Sequence, residues 1–272
     1  MKHYKDYAVV YAPTYNLGDD IQTLAAIDFL SKKGVDSFSI LNRESLHTYE
    51  GHPVNLIMNG WFMADFSRFP PSNNIHPVFI SFHIQHESVG MVEKYKDYFK
   101  RYEPIGCRDY STVDLFKSHG ISAYFTGCLT LYLNPESYSG KRGGTYFCDC
   151  HKQWTKGGNK PFLKDIPYSG EVISHRLSVL PNSSPERRLD IARNRLSMYA
   201  GADLVVTPRL HCALPCRALG TDCIFVHTNI ATDTRFKGME PILNGGTTIH
   251  AKRSGDSSSI SKIQHGFDKI KI

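Results

Sequence analysis

The feature that most constrains this chain is a repeated alternation. A short apolar run leads into a polar, turn-rich loop and then into a segment with helical periodicity, often closed by glycine. Tyr7–Tyr11 is the first such run, and a turn-rich loop from Pro13 to Asp19 follows it. A helical pattern then runs from about Asp20 to Lys33, with Ile21, Leu24, Ala25 and Phe29 on one face and Gly34 at its close. Strands are expected at Phe38–Leu41, Val54–Met58, Val78–Phe82 and Ala123–Phe125. Helices are expected over Val92–Arg101 and from a capping box at Ser111-Thr112-Val113-Asp114 to Gly120. Residues 134–144 are rich in turn formers and break the pattern. It restarts with strands at Thr145–Asp149, Glu171–Ser174, Asp203–Thr207 and Cys223–Val226, and with helices at Pro185–Ala200 and Pro208–Leu219. This alternation predicts the α/β class: two domains with mainly parallel sheets, residues 1–135 and 145–272, joined by a linker at 136–144. The polar tail from about Gly245 receives no element.

Charge and cysteine usage narrow the functional classes. The net charge is +6, and it is lopsided: residues 1–135 carry 12 Lys/Arg against 14 Asp/Glu, residues 136–272 carry 20 against 12. The surplus in the second half points to an anionic ligand there. The basic residues are scattered and not arranged in a stripe with exposed aromatics, so no nucleic-acid partner is expected. No apolar run approaches the roughly 20 residues that span a bilayer, and the polar start Met1-Lys2-His3-Tyr4-Lys5-Asp6 is not a signal-peptide core. Seven cysteines, several within apolar segments, suit reduced thiols in the cytoplasm.

In open α/β sheets ligands bind beyond the carboxyl ends of strands, and four such loops carry unusual chemistry. In Val205-Val206-Thr207-Pro208-Arg209-Leu210-His211, Thr207 is placed to cap a helix and Pro208 to begin it. Arg209 and His211 then lie in the first turn, where backbone N–H groups and the helix dipole favour phosphate or carboxylate. Pro215 inside the helix deprives the His211 carbonyl of its partner, which predicts a kink. Arg108, in Ile105-Gly106-Cys107-Arg108-Asp109-Tyr110-Ser111, sits at the rim where a ligand docks or pairs with Asp109. The first loop, Tyr15-Asn16-Leu17-Gly18-Asp19, has one glycine, far short of G-x-G-x-x-G, and Asp19 is either a helix cap or a catalytic carboxylate. His83 and His86 follow a strand three apart, and extended geometry sends them to opposite faces, against joint metal ligation. Cys148-Asp149-Cys150-His151 lacks C-x-x-C spacing and a second ligand pair, so no metal site is assigned to it.

Taken in order, these loops resemble the polysaccharide pyruvyl transferase family. The resemblance rests on Asn16-Leu17-Gly18-Asp19, on Gly106-Cys107-Arg108-Asp109 with Ser111, on Gly127-Cys128-Leu129-Thr130-Leu131, and on Arg209-Leu210-His211 with Ala218-Leu219-Gly220. It implies a glycosyltransferase-B-like architecture, two Rossmann-like domains facing across a cleft. It also implies transfer of pyruvate from phosphoenolpyruvate to sugar hydroxyls as a ketal. Arg209, Leu210 and His211 match the family's Arg-Leu-His donor motif, Arg108 the arginine of its Arg-Asp motif, and Asp19 its first-loop aspartate. Cys128 stands where many relatives carry aspartate, so no carboxylate role falls there, and the chain is short for the family.

The resemblance casts Arg108 and Arg209 as cations for the donor's phosphate and carboxylate, one from each domain, meeting on closure. His211 is the expected acid for the methylene carbon or the activator of the hydroxyl, with Asp19 as an assisting base. Asn16, His83 and His86 are candidate acceptor contacts. No cofactor or metal is required, and the acceptor is a sugar or polysaccharide; a lipid-linked acceptor would bring the protein to a membrane surface. Two other readings fit the same architecture: a glycosyltransferase using a nucleotide sugar, and a non-catalytic glycan-binding protein.

Overall fold

The computed structural model describes residues 6–62, 65–85, 88–150, 170–227, 230, 232–243 and 257–272. Its first half is one six-stranded parallel sheet in the order β2-β1-β3-β4-β5-β6. The strands are β1 (Tyr7–Tyr11), β2 (Phe38–Asn42), β3 (Val54–Trp61), β4 (Ile75–His83), β5 (Ile105–Cys107) and β6 (Ala123–Phe125). The central strand β3 is buried along nearly its whole length, as a parallel strand covered on both faces must be. α1 (Leu17–Lys32), α2 (Gly90–Lys94), α3 (Lys96–Arg101) and α4 (Tyr110–Ser118) lie in the connections. The second half is a four-stranded parallel sheet in the order β10-β9-β7-β8, built from β7 (Thr145–Cys148), β8 (Glu171–Ile173), β9 (Leu204–Thr207) and β10 (Cys223–Phe225). α5 (Pro185–Gly201), α6 (Leu210–Ala218), α7 (Glu240–Leu243) and α8 (Ser257–Asp268) complete it.

The α/β class and parallel sheets hold, and several boundaries move for local reasons. α1 starts at Leu17, three residues before the apolar pattern suggests, because the Asn16 side chain accepts from the Gly18 N–H and caps it. The α4 cap is Asp109, not Ser111: its carboxylate accepts from the Thr112 N–H at 3.0 Å, and Ser111 donates its hydroxyl to the same oxygen. The single helix expected over Val92–Arg101 is two short ones broken at Tyr95. α6 begins at Leu210 behind Arg209, because Thr207 spends its hydroxyl accepting from the Arg209 N–H at 3.0 Å and closes a turn one step earlier. The kink expected from Pro215 is present: His211 has ψ 20°, outside the helical range.

The two sheets share a core. One apolar cluster runs from Val9, Ile21 and Phe29 through Leu189, Leu196 and Tyr199 to Val205 and Leu214. α1 is buried on nearly every side because it lies between its own sheet and α5, not on a protein surface. A second cluster, rich in phenylalanines packed edge to face (Phe79 on Phe82, Phe99 on Phe116), fills the other face of the first sheet. The polar tail left without an element contains α8, which returns to the first half, where Gln264 donates to the Leu131 carbonyl and Tyr132 bonds Asp268. Segment 140–144 is fastened to the end of α5: Gly143 donates to the Gly201 carbonyl, and Gly140 lies so close to Ser197 that no side chain fits.

Among the described residues, no helix is long and apolar enough to cross a membrane.

Candidate active site

Strand order fixes where the site must lie. The first sheet reverses direction between β1 and β3, the second between β7 and β9, and such switch points open a crevice at the strands' carboxyl ends. β1 leads into the α1 N-terminus, and β9 leads into that of α6. These two helix starts meet. A Cβ placed on Gly18 would stand 3.0 Å from His211 Cβ and 3.3 Å from its Nδ1, so any larger residue would push the imidazole back by a few tenths of an ångström. The approach is fixed by backbone pairing between the halves: Leu17 N–H donates to the His175 carbonyl and Leu177 N–H to the Tyr15 carbonyl, flanking a bridge between Asn16 and Arg176.

A buried ion pair locks the same junction. Arg188 on α5 is fully buried and donates to both carboxylate oxygens of Asp20, at 2.8 and 3.0 Å, and to the carbonyls of Thr14 and Leu180. Burial pushes the Asp20 carboxyl up to about 6, against the pull of Arg188. Neither residue stands out in the sequence, since they lie 168 positions apart.

His211 is half-buried, but its Nε2 is sealed from solvent and has no partner among the described residues. Burial first, then the positive charges of Arg108 and its other neighbours, hold it well below the ordinary imidazole range, so it is neutral at pH 7. Arg108, 4% exposed, sits close enough to be the leading charge on His211. Among the described residues its guanidinium makes no hydrogen bond; its nearest ionic contact is 3.5 Å, from Nε to Asp109. A buried cation so poorly matched is costly in the free protein.

Below it lies the pair His83–Asp109, 2.7 Å apart and almost fully buried. Burial and the Arg108 charge depress His83 to about 4. Burial acts to raise Asp109, but the hydrogen bond from His83 and the charge of Arg108 prevail and hold it at about 2. His83, expected to contact an acceptor, is therefore 2% exposed and set against Asp109 under the Arg108 turn. His86 lies outside the described residues. Asp19 is half-buried, accepts from Thr14 Oγ1 at 2.6 Å, and lines a small polar cavity of about 20 Å³ with Gln22, Arg43 and Asn59. The cap is Asn16, which leaves the Asp19 carboxylate at the junction without the capping duty.

Two residues not picked from the sequence belong to the site. Asp149 holds Arg209, accepting from its Nε at 2.8 Å, and is itself held by Ser174 Oγ at 2.6 Å and the His175 N–H. Its φ of +56° is left-handed backbone, a strain that a non-glycine residue tolerates only where its surroundings impose it. In the Cys148-Asp149-Cys150-His151 run it is the aspartate that reaches Arg209. Arg235 acts electrostatically on both His83 and His211. It arrives because Tyr110 N–H donates to the Lys237 carbonyl and Ser111 to that of Thr234. No local motif announces it. Leu210 is the first residue of α6, partly buried against the shared core.

The fold and site together define a two-sheet α/β protein in which two helix N-termini converge at His211, with Arg108 and Arg235 acting on it electrostatically. The family profile described as polysaccharide pyruvyl transferase matches residues 16–229, and the chain belongs to that family. A crystal structure described as a functional uncharacterized protein, KP1_0663, from Klebsiella pneumoniae subsp. pneumoniae NTUH-K2044 shares the fold. It has a TM-score of 0.57 at 16% identity, over 93% of this chain and 92% of that one. No curated protein matches the sequence significantly.

Proposed function

We propose that this protein transfers pyruvate from phosphoenolpyruvate to a pair of hydroxyls on a sugar or polysaccharide, forming a cyclic ketal. The observation that carries this reading is the electrostatic pairing of Arg108 with His211: a buried guanidinium with no hydrogen bond among the described residues, acting on a neutral imidazole whose Nε2 is sealed. Phosphoenolpyruvate brings a phosphate and a carboxylate. Arg108 takes one anionic group, and Arg209, presented by Asp149, takes the other beside the α6 N-terminus. Neutralising these cations removes the repulsion that adds to burial in depressing His211, which shifts the imidazole toward taking up a proton when the donor binds. It gives that proton to the methylene carbon, leaving carbon 2 electrophilic. A sugar hydroxyl adds there and releases its proton to Asp19; phosphate departs with its bonding pair toward the α6 terminus, and a second hydroxyl adds to carbon 2, closes the ring and returns its proton to His211.

The meeting of the two sheets at their switch points supports a glycosyltransferase-B-like arrangement. Seven buried, unpaired thiols support a reducing compartment.

The test is release of phosphate from phosphoenolpyruvate with galactose-, glucose- and mannose-type acceptors. Release that depends on one acceptor is expected. No release with any, together with thermal stabilisation by a nucleotide sugar, refutes the reading. His211→Ala turning over within a few-fold of wild type overturns the acid assignment.

A further inference from the structure

We infer that Cys148, His175 and Cys212 form a binding site for a thiophilic metal ion of the zinc class, buried behind the His211 turn. Cys148 ends β7, His175 follows β8 and Cys212 lies in the first turn of α6, so three elements converge at one edge of the second sheet. Their ligand atoms all lie within 4.8 Å of one another. All three side chains are buried, with Cys148 and Cys212 at 0% and His175 at 1% exposure.

Buried cysteines alone are ordinary small apolar residues. The histidine is what distinguishes this cluster. Its Nε2 lies 2.7 Å from the Tyr199 hydroxyl, which fixes the ring, while Nδ1 is sealed and has no partner among the described residues. Leaving such a nitrogen unsatisfied in the core is costly. The arrangement of one ring nitrogen held by a neighbour and the other without work is that of a metal-ligating histidine with its outer support. Zinc bonds of about 2.3 Å to sulfur and 2.0 Å to nitrogen imply ligand edges of roughly 3.5–3.8 Å. The cluster therefore needs a contraction of no more than about 1 Å. Two thiolates and an imidazole select a soft or borderline ion over magnesium or calcium. Binding displaces two thiol protons to solvent and changes no oxidation state.

The Cys148-Asp149-Cys150-His151 run hides this site, because Cys148 finds its partners 27 and 64 positions further along the chain. The inference is independent of the donor reading: Cys212 adjoins His211, yet the metal would brace the turn and not touch substrate.

The experiment is elemental analysis of protein purified from zinc-supplemented medium, with cobalt-grown protein examined for a thiolate-to-cobalt charge-transfer band. About one ion per chain and a cobalt band are expected. Cys148→Ala and His175→Gln should each reduce both at least roughly tenfold, whereas Cys107→Ala, on the other sheet, should leave both unchanged. Wild-type protein carrying less than roughly a tenth of an ion per chain overturns the inference. So does full zinc content in the two ligand variants, or a Cys148–Cys212 disulfide found by mass spectrometry in the untreated protein. A ligand variant that fails to fold leaves the wild-type metal content and cobalt spectrum to decide.

Discussion

Arg108→Met should separate ligand binding from folding, because the two roles predict opposite signs for stability. In the free protein Arg108 is 4% exposed and offset by one 3.5 Å contact to Asp109. Methionine has similar length and removes a buried guanidinium whose only ionic contact among the described residues is the 3.5 Å one to Asp109, which relieves the cost of desolvating that charge on folding. The loss to Asp109 is small, since the carboxylate keeps the Thr112 N–H at 3.0 Å, the Thr112 hydroxyl at 2.9 Å and His83 at 2.7 Å. Unfolding free energy in urea should therefore stay level or rise by about 1–2 kcal/mol. Donor binding should move the other way. Two charge-assisted hydrogen bonds to phosphate or carboxylate, at roughly 1.5–3 kcal/mol each, amount to about 3–6 kcal/mol. That corresponds to a loss of roughly 10²–10⁴ in kcat/KM for phosphoenolpyruvate. Phosphoenolpyruvate at 100 times its Kd should stabilise the wild type by about 2.7 kcal/mol and the variant not at all. A variant destabilised by more than about 2 kcal/mol with its donor kinetics intact would show that Arg108 is a structural group and refute the reasoning.

Three further outcomes follow from the same geometry. Asp20→Asn and Arg188→Met should each lower stability by about 3–5 kcal/mol in denaturant titrations, and the double variant by less than the sum, because each single change strands the other charge. His83 has a folded pKa of about 4, below its unfolded value of 6.5, so the unfolded state binds more protons between these limits. Its contribution is present above pH 6.5 and is lost as pH falls through 4. It amounts to at most about 3 kcal/mol, and His83→Gln should flatten the decline seen in acid melts. Gly18→Ala places a Cβ 3.0 Å from that of His211; kcat should fall at least about tenfold while Tm moves by only a few degrees, since displacing a reacting group by tenths of an ångström matters more than the added contact.

What could be read in the sequence was whatever a segment decides for itself. The strand expected at Asp203–Thr207 and found at Leu204–Thr207, the Pro215 kink, and the helix expected at Pro185–Ala200 and found at Pro185–Gly201 are local matters. Arg108, Arg209 and His211 were visible because they occupy helix starts after strands, where general rules place anion binding. Asp20 and Arg188 were not, since hydrophobic periodicity treats both as surface positions and only the stacking of α1 on α5 buries them. The helix caps were misplaced for a related reason. Thr207 and Ser111 are good cap formers, but Thr207 serves the turn before α6 and Ser111 donates to the acid that caps α4. Arg235 and α8 depend on tertiary return of the chain and carry no signal of their own.

The sequence also suggested two domains that bring their arginines together by closing, and the junction argues for a site already assembled. A hinge wide enough to separate α1 from α6 would break the paired segments Tyr15–Leu17 and His175–Leu177 and pull Arg188 from Asp20. It would also open the apolar cluster that both sheets share. The ion pair alone opposes this by about 3–5 kcal/mol if its partners separate without compensation, before any apolar surface is counted. The Gly18–His211 contact therefore persists in the free protein, and the charges that depress His211 are present before the donor arrives. On the proposed reading, what an anionic donor changes is not the spacing of the two halves but the electrostatic balance at their junction. It would satisfy Arg108 and remove the repulsion that adds to burial in keeping the imidazole neutral. Binding and acid activation would then be coupled, which would tie the proton to the presence of the group that needs it.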